Sequence, residues 1–189
     1  MPPRKVAAPS RVYQLKVTLM GLKPPIWRRV EVADDVTLAR LHAIIQAAMG
    51  WTNSHLHMFT GGGESYGVPH PDDESDIHDE RRVKLNQLLT APKQKLLYEY
   101  DFGDSWTHEV LLEKLLPPEP GATYPRCTAG KRACPPEDCG GVWGYADFVE
   151  AIADPEHEQH EELLEWVGGE FDPEAFDMAE TNAALRRLR

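Results

Sequence analysis

Early in the chain apolar and polar residues alternate, and the alternation predicts sheet. Across residues 12–20 (VYQLKVTLM), Val12, Leu15, Val17 and Leu19 fall partly in phase, the period-two pattern of a half-buried strand. Residues 21–25 turn the chain, and residues 26–32 (IWRRVEV) read as the returning strand. Pro24 and Pro25 precede that strand, where a missing N–H is tolerated. The period then changes: Leu38, Leu41, Ile45 and Ala48 share one face of a helix over residues 37–49, which Gly50 stops. Residues 56–59 form a short strand, 64–82 a long polar surface loop, and 83–89 a turn of helix. Residues 96–102 and 106–115 are strands joined at Gly103-Asp104 in a tight hairpin. Residues 145–152, 157–167 and 173–188 are helical by period.

Strands come first and helices last. That order predicts an α+β fold: a mostly antiparallel sheet, one early helix packed on it, and a C-terminal helical segment. Residues 1–10 read as a flexible arm. Residues 11–189 read as one domain, with a sheet-rich part (11–120), a Cys/Pro/Gly loop (121–144) and a helical part (145–189). Prolines 135 and 136 and glycines 140 and 141 exclude an ordinary helix or strand from 124–145, so that stretch is expected to be a shaped loop.

Composition narrows the class. With 41% hydrophobic and 27% charged residues the chain is globular rather than disordered. No apolar run approaches the roughly 18 residues that a membrane span needs, and no apolar stretch follows the basic residues of the N-terminus, so a cytoplasmic location is expected. The net charge of −11 is unevenly placed: residues 136–189 carry fifteen Asp and Glu against three arginines. Nucleic-acid affinity rests on phosphate neutralisation, so the C-terminal third is a poor surface for it. The first 135 residues are close to neutral and leave room for a local patch such as Arg28-Arg29 or Arg81-Arg82.

Four groups of residues could carry chemistry. Cys127, Cys134 and Cys139 lie at C-x6-C-x4-C spacing. Three thiolates on one loop could begin a structural zinc site, with His108 as the best fourth ligand and His157 or His160 behind it; the alternative is that the thiols are small buried hydrophobes. His55 and His57, two apart on a strand, would face the same way and could take a metal with Asp72, Asp73 or Asp76, or could be core-edge histidines bonded to backbone. Asp101 and Asp104 flank a glycine turn and could hold a cation, work as acid and base, or satisfy turn amides. Glu137 and Asp138 most economically bond backbone amides. No nucleophile elbow, P-loop or dinucleotide fingerprint occurs.

The segments IWRRVEV, W-x3-HLH-x-F, YDFGDSWTHEV, YPRCTAGKRACPPEDCGG-x-WGY and EW-x4-FDPEAFD together resemble the plasmid pRiA4b ORF-3-like family over residues 11–185. The resemblance implies a compact α+β domain but no particular activity. Some family members carry labels as TnpR-type resolvases or insertion-element passenger proteins. A serine resolvase needs a nucleophilic serine among arginines and a basic DNA-binding helix pair. Here Ser10 lies in the arm and the C-terminal third is acidic, so that label does not fit.

The resulting expectation is a non-catalytic cytoplasmic domain that binds an unknown protein partner, with the cysteine loop as its structural centre. The alternative is a metal-dependent hydrolase or nuclease linked to mobile elements, using His55, His57, Asp101, Asp104 and His108 around a cation.

Overall fold

The computed structural model describes residues 9–72 and 76–188. Most of the arm expected over residues 1–10, and Asp73, lie outside them. Eight strands form one sheet: β1 (Val12–Leu19), β2 (Ile26–Ala33), β3 (His57–Gly61), β4 (Glu64–Gly67), β5 (Ile77–Asp79), β6 (Lys95–Tyr100), β7 (Trp106–Leu116) and β8 (Arg126–Lys131). Their spatial order is β5-β4-β3-β6-β7-β1-β2-β8. Every pairing is antiparallel except β4 with β5. Five helices accompany the sheet: α1 (Leu38–Met49), α2 (Leu85–Leu88), α3 (Gly141–Ala153), α4 (His160–Val167) and α5 (Met178–Arg187). The fold is α+β, as the order of patterns predicted.

One face of the sheet makes the core. Tyr13, Leu15, Val17 and Leu19 of β1, Leu96, Tyr98 and Tyr100 of β6, and Trp106, Val110 and Leu112 of β7 are all buried. The two-residue period that marks these strands in the sequence is therefore the period of burial. Leu38, Leu41, Ile44, Ile45 and Ala48 of α1 close over this face. Thr37 starts α1, its hydroxyl accepting from Arg40 N at 3.2 Å, and Gly50 ends it with φ 106 while its N–H donates to Gln46 O.

The structure departs from the sequence reading at three places. Residues 126–131, expected to lie in a shaped loop, form edge strand β8 against β2, because the prolines and paired glycines lie downstream of them. Residues 64–82, expected to be one long surface loop, hold β4 and β5. The last two helices begin later than their period suggests, at His160 and Met178, where Asp177 caps α5 by accepting from Ala179 N and Glu180 N. The early part of each predicted helix is instead turn and irregular chain.

Candidate functional site

Three loops meet at one end of the sheet: residues 51–56 between α1 and β3, residues 101–105 between β6 and β7, and residues 135–140 ahead of α3. They are joined by side chains rather than by strand pairing. Trp51 Nε1 donates to Pro135 O at 3.1 Å, and Thr52 N donates to Glu137 Oε1 at 2.9 Å. The Tyr100 hydroxyl, at the end of β6, accepts from Ser54 N at 2.9 Å and donates to the Glu137 carboxylate at 3.1 Å. Burial, with the Glu137 charge adding to it, pushes this hydroxyl up to about 12, so it stays a neutral donor.

Asp101 begins the β6–β7 loop in the left-handed region at φ 60, which aspartate tolerates better than most residues. Its Oδ1 accepts from Gly103 N (3.0 Å) and Asp104 N (3.3 Å), and its own N–H donates to Leu56 O. Asp104 Oδ2 then accepts from Gly140 N at 3.1 Å, tying this loop to the start of α3. The contact is too close for a side chain: a Cβ on Gly141 (φ +71) would lie 2.5 Å from Asp104 O.

What these ties enclose is an imidazole among carboxylates. His55 Nε2 is 2.8 Å from Asp138 Oδ1, 3.6 Å from Asp101 Oδ2 and 3.9 Å from Glu137 Oε2. That nitrogen is sealed from solvent and has no aligned hydrogen-bond partner. Asp101 is buried while the Asp138 side chain is 67% exposed, so the cluster has a floor and an open side. Among the described residues no lysine or arginine pairs with Asp101, Glu137 or Asp138.

Of the residues expected to bind ligand, the structure brings together His55 and Asp101, with Asp104 as the loop tie. His57 goes elsewhere: it bonds Glu80 Oε2 at 2.7 Å and stacks on His42 with ring centroids 3.4 Å apart. Glu137 accepts a backbone amide, from Thr52, as its most economical role predicted, yet it and Asp138 also lie at the centre of the cluster. Their convergence has a signal in the sequence, the two motifs YDFGD and CPPED, but nothing in either motif says that the two loops touch.

The expected metal set of Cys127, Cys134, Cys139 and His108 is not assembled. The one group of three or more metal-donor side chains that converges among the described residues is His55, Asp101 and Asp138. His108 points into the core, fully buried, its Nδ1 facing Tyr98 O at 3.2 Å and its ring edge-on to Trp51. Burial holds it down at about 4, as a neutral imidazole. Cys127 and Cys134 lie beside the buried Arg28, whose guanidinium bonds Ala48 O, Trp27 O and Lys131 O and stacks on Phe176. A fixed positive charge there opposes a second cation. All three thiols are free, and burial raises each of them, Cys139 to about 12. His157 stands in the turn before α4 and His160 begins that helix, its Nδ1 3.0 Å from Ala151 O.

An antiparallel sheet fringed by helices, with its polar centre on three loops, defines the class; the comparisons with known proteins define the family. The family described as "Plasmid pRiA4b ORF-3-like protein" matches residues 11–180, and the chain belongs to it. "Uncharacterized protein y4hQ" of Sinorhizobium fredii (strain NBRC 101917 / NGR234) is 42% identical over 181 residues, 95% of this chain and 93% of that one. The crystal structure titled "Protein of Unknown Function MM3350 from Methanosarcina mazei Go1" superposes with a TM-score of 0.81 at 44% identity, covering 90% of this chain and 97% of that one. Among the described residues, no helix is long and apolar enough to cross a membrane.

Proposed function

We propose that the protein is a non-catalytic interaction domain that receives a basic segment of a protein partner. The observation that carries this reading is the cleft between α3 and α4, of about 520 Å³. Asp138, Asp147, Glu150, Glu158 and Glu162 line it, with no lysine or arginine among its lining residues. Its apolar wall is aromatic: Trp166, 47% exposed, meets the buried Phe148 edge-on at 5.8 Å. Carboxylates beside an open indole face suit an arginine or lysine side chain, which gains both ion pairing and cation–π attraction. The cysteine loop has a structural part in this reading, because it sets where α3 begins and so where the cleft opens. A hydrolase built on His55, His57 and His108 draws no support from the geometry, since the three rings do not share a cleft.

The test is a fluorescence titration of the full chain with hexa-arginine amide at 20 and 150 mM salt, with hexa-glutamate as control. We expect saturable binding that weakens with salt, at least tenfold weaker in Trp166→Ala and in the double variant Glu158→Gln/Glu162→Gln. Equal affinity in wild type and both variants would mean diffuse attraction to an acidic surface, and would end this reading.

A further inference from the structure

We infer that His55, Asp101 and Asp138 form a binding site for a divalent transition-metal ion, with Glu137 as a neighbouring donor. The site shares only Asp138 with the cleft and would survive the failure of the partner reading. A metal bonded at ~2.1 Å to nitrogen and oxygen ligands places neighbouring donors ~3.0 Å apart in octahedral and ~3.4 Å apart in tetrahedral geometry. His55 Nε2 lies 2.8 Å from Asp138 Oδ1 and 3.6 Å from Asp101 Oδ2, and the three donor atoms all fall within 4.8 Å of one another.

Asp101 is 7% exposed, and one oxygen, Oδ1, is used by the turn amides. The other, Oδ2, accepts no hydrogen bond among the described residues and faces the imidazole. On a side chain only 9% exposed, that charged oxygen is stabilised by something positive set against it. His55 Nε2 beside it is sealed from solvent and has no aligned partner. Three carboxylates surround it without a lysine or arginine, so a cation bound between them would balance their charge.

Chemistry selects the ion. One imidazole and two or three carboxylates suit Mn²⁺ or Zn²⁺; Ca²⁺ takes six to eight oxygens, and soft ions prefer thiolates. The Tyr100 hydroxyl and Thr52 N–H hold Glu137 from behind, the kind of support that fixes a metal-ligating carboxylate. On the Asp138 side the ion would be open to solvent.

The experiment is calorimetric titration of EDTA-treated full-length protein with MnCl₂ and separately with ZnSO₄, Mn²⁺ binding being checked by the loss of the free-ion EPR signal. We expect one ion per chain, bound at least tenfold more weakly by Asp138→Asn and His55→Gln and unchanged in Cys134→Ser and Trp166→Ala. Asp138→Asn, an exposed change, guards against a folding failure in the others. Binding of neither ion, equal binding by Asp138→Asn and wild type, or loss confined to Cys134→Ser would overturn the site.

Discussion

Two histidine–carboxylate clusters stand two residues apart in this chain, and they are finished to different degrees. Around His57 everything is closed. Its Nε2 meets Glu80 at 2.7 Å, its ring lies flat on His42, and His42 spends both nitrogens, on the Tyr98 hydroxyl and on Asn53 Oδ1 at 2.8 Å each. Around His55 the distances are longer, the charge is one-sided, and one imidazole nitrogen and one carboxylate oxygen have nothing aligned to them. A folded protein satisfies the great majority of its buried polar groups, so the closed cluster reads as architecture and the open one as a place for something else. The difference also separates stability from function: changes at the first should unfold the protein, and changes at the second should leave it folded.

The largest effect should therefore come from Glu80→Ala. The Glu80 and His57 side chains are 5% and 8% exposed. Removing one partner strands the other in a low-dielectric site, at a cost of about 3–5 kcal/mol. Urea denaturation should show this as a large drop in midpoint, with Glu80→Gln falling in between. A loss below about 1 kcal/mol would mean that the His57 cluster is as loosely held as the His55 one, and the contrast would collapse.

Acid should sharpen the same contrast. His42 is pulled down to about 4 by burial first and by the neighbouring His57 second, against the attraction of Glu80 and the Asn53 hydrogen bond. His108 is pulled down to about 4 by burial. Unfolded, both would titrate near 6.5. Between about pH 6.5 and 4 the unfolded chain binds protons that the folded chain refuses, so stability rises with pH across that window and is lost as pH falls. The urea midpoint should decline from pH 6.5 downward, before most carboxylates titrate, and His42→Gln should flatten part of the slope. A midpoint constant from pH 6.5 to 5 would show that these rings are not held neutral by the fold.

The sheet was legible because its physics is local. Leu15, Val17 and Leu19 alternate in the sequence as they alternate in the core, and Thr37 and Gly50 bound a helix with their own atoms. β8 was hidden because it is an edge strand whose glycine and small residues match β2 rather than any period; Gly130 leaves the space that the Phe176 ring fills. The site was half legible. His55 and Asp101 stand out as residue types in a motif, but Asp138 reaches them through long-range ties, Asp104 to Gly140 across 36 residues and Trp51, Thr52 and Tyr100 to Pro135 and Glu137. Such a contact is a property of tertiary packing and leaves no periodic trace. The cysteines point the other way: their spacing suggests a ligand set, but among the described residues their thiols do not converge with a fourth donor, and the buried Arg28 lies within charge range of two of them.

The smallest effect on stability is expected at Asp138, and its sign matters more than its size. Asp138 sits at φ 59, which asparagine tolerates as well, and most of its side chain is in solvent. Without metal its charge adds to those of Asp101 and Glu137. Asp138→Asn should thus leave the metal-free protein within about 0.5 kcal/mol of wild type, and on the stabilising side at low salt. With saturating Mn²⁺ the order should reverse, because an ion that binds only the folded wild type raises its stability by mass action. Melting curves of both proteins with EDTA and with MnCl₂ would show the crossing. If the variant is the less stable in EDTA as well, Asp138 belongs to the architecture after all, and the two histidine clusters differ in degree rather than in kind.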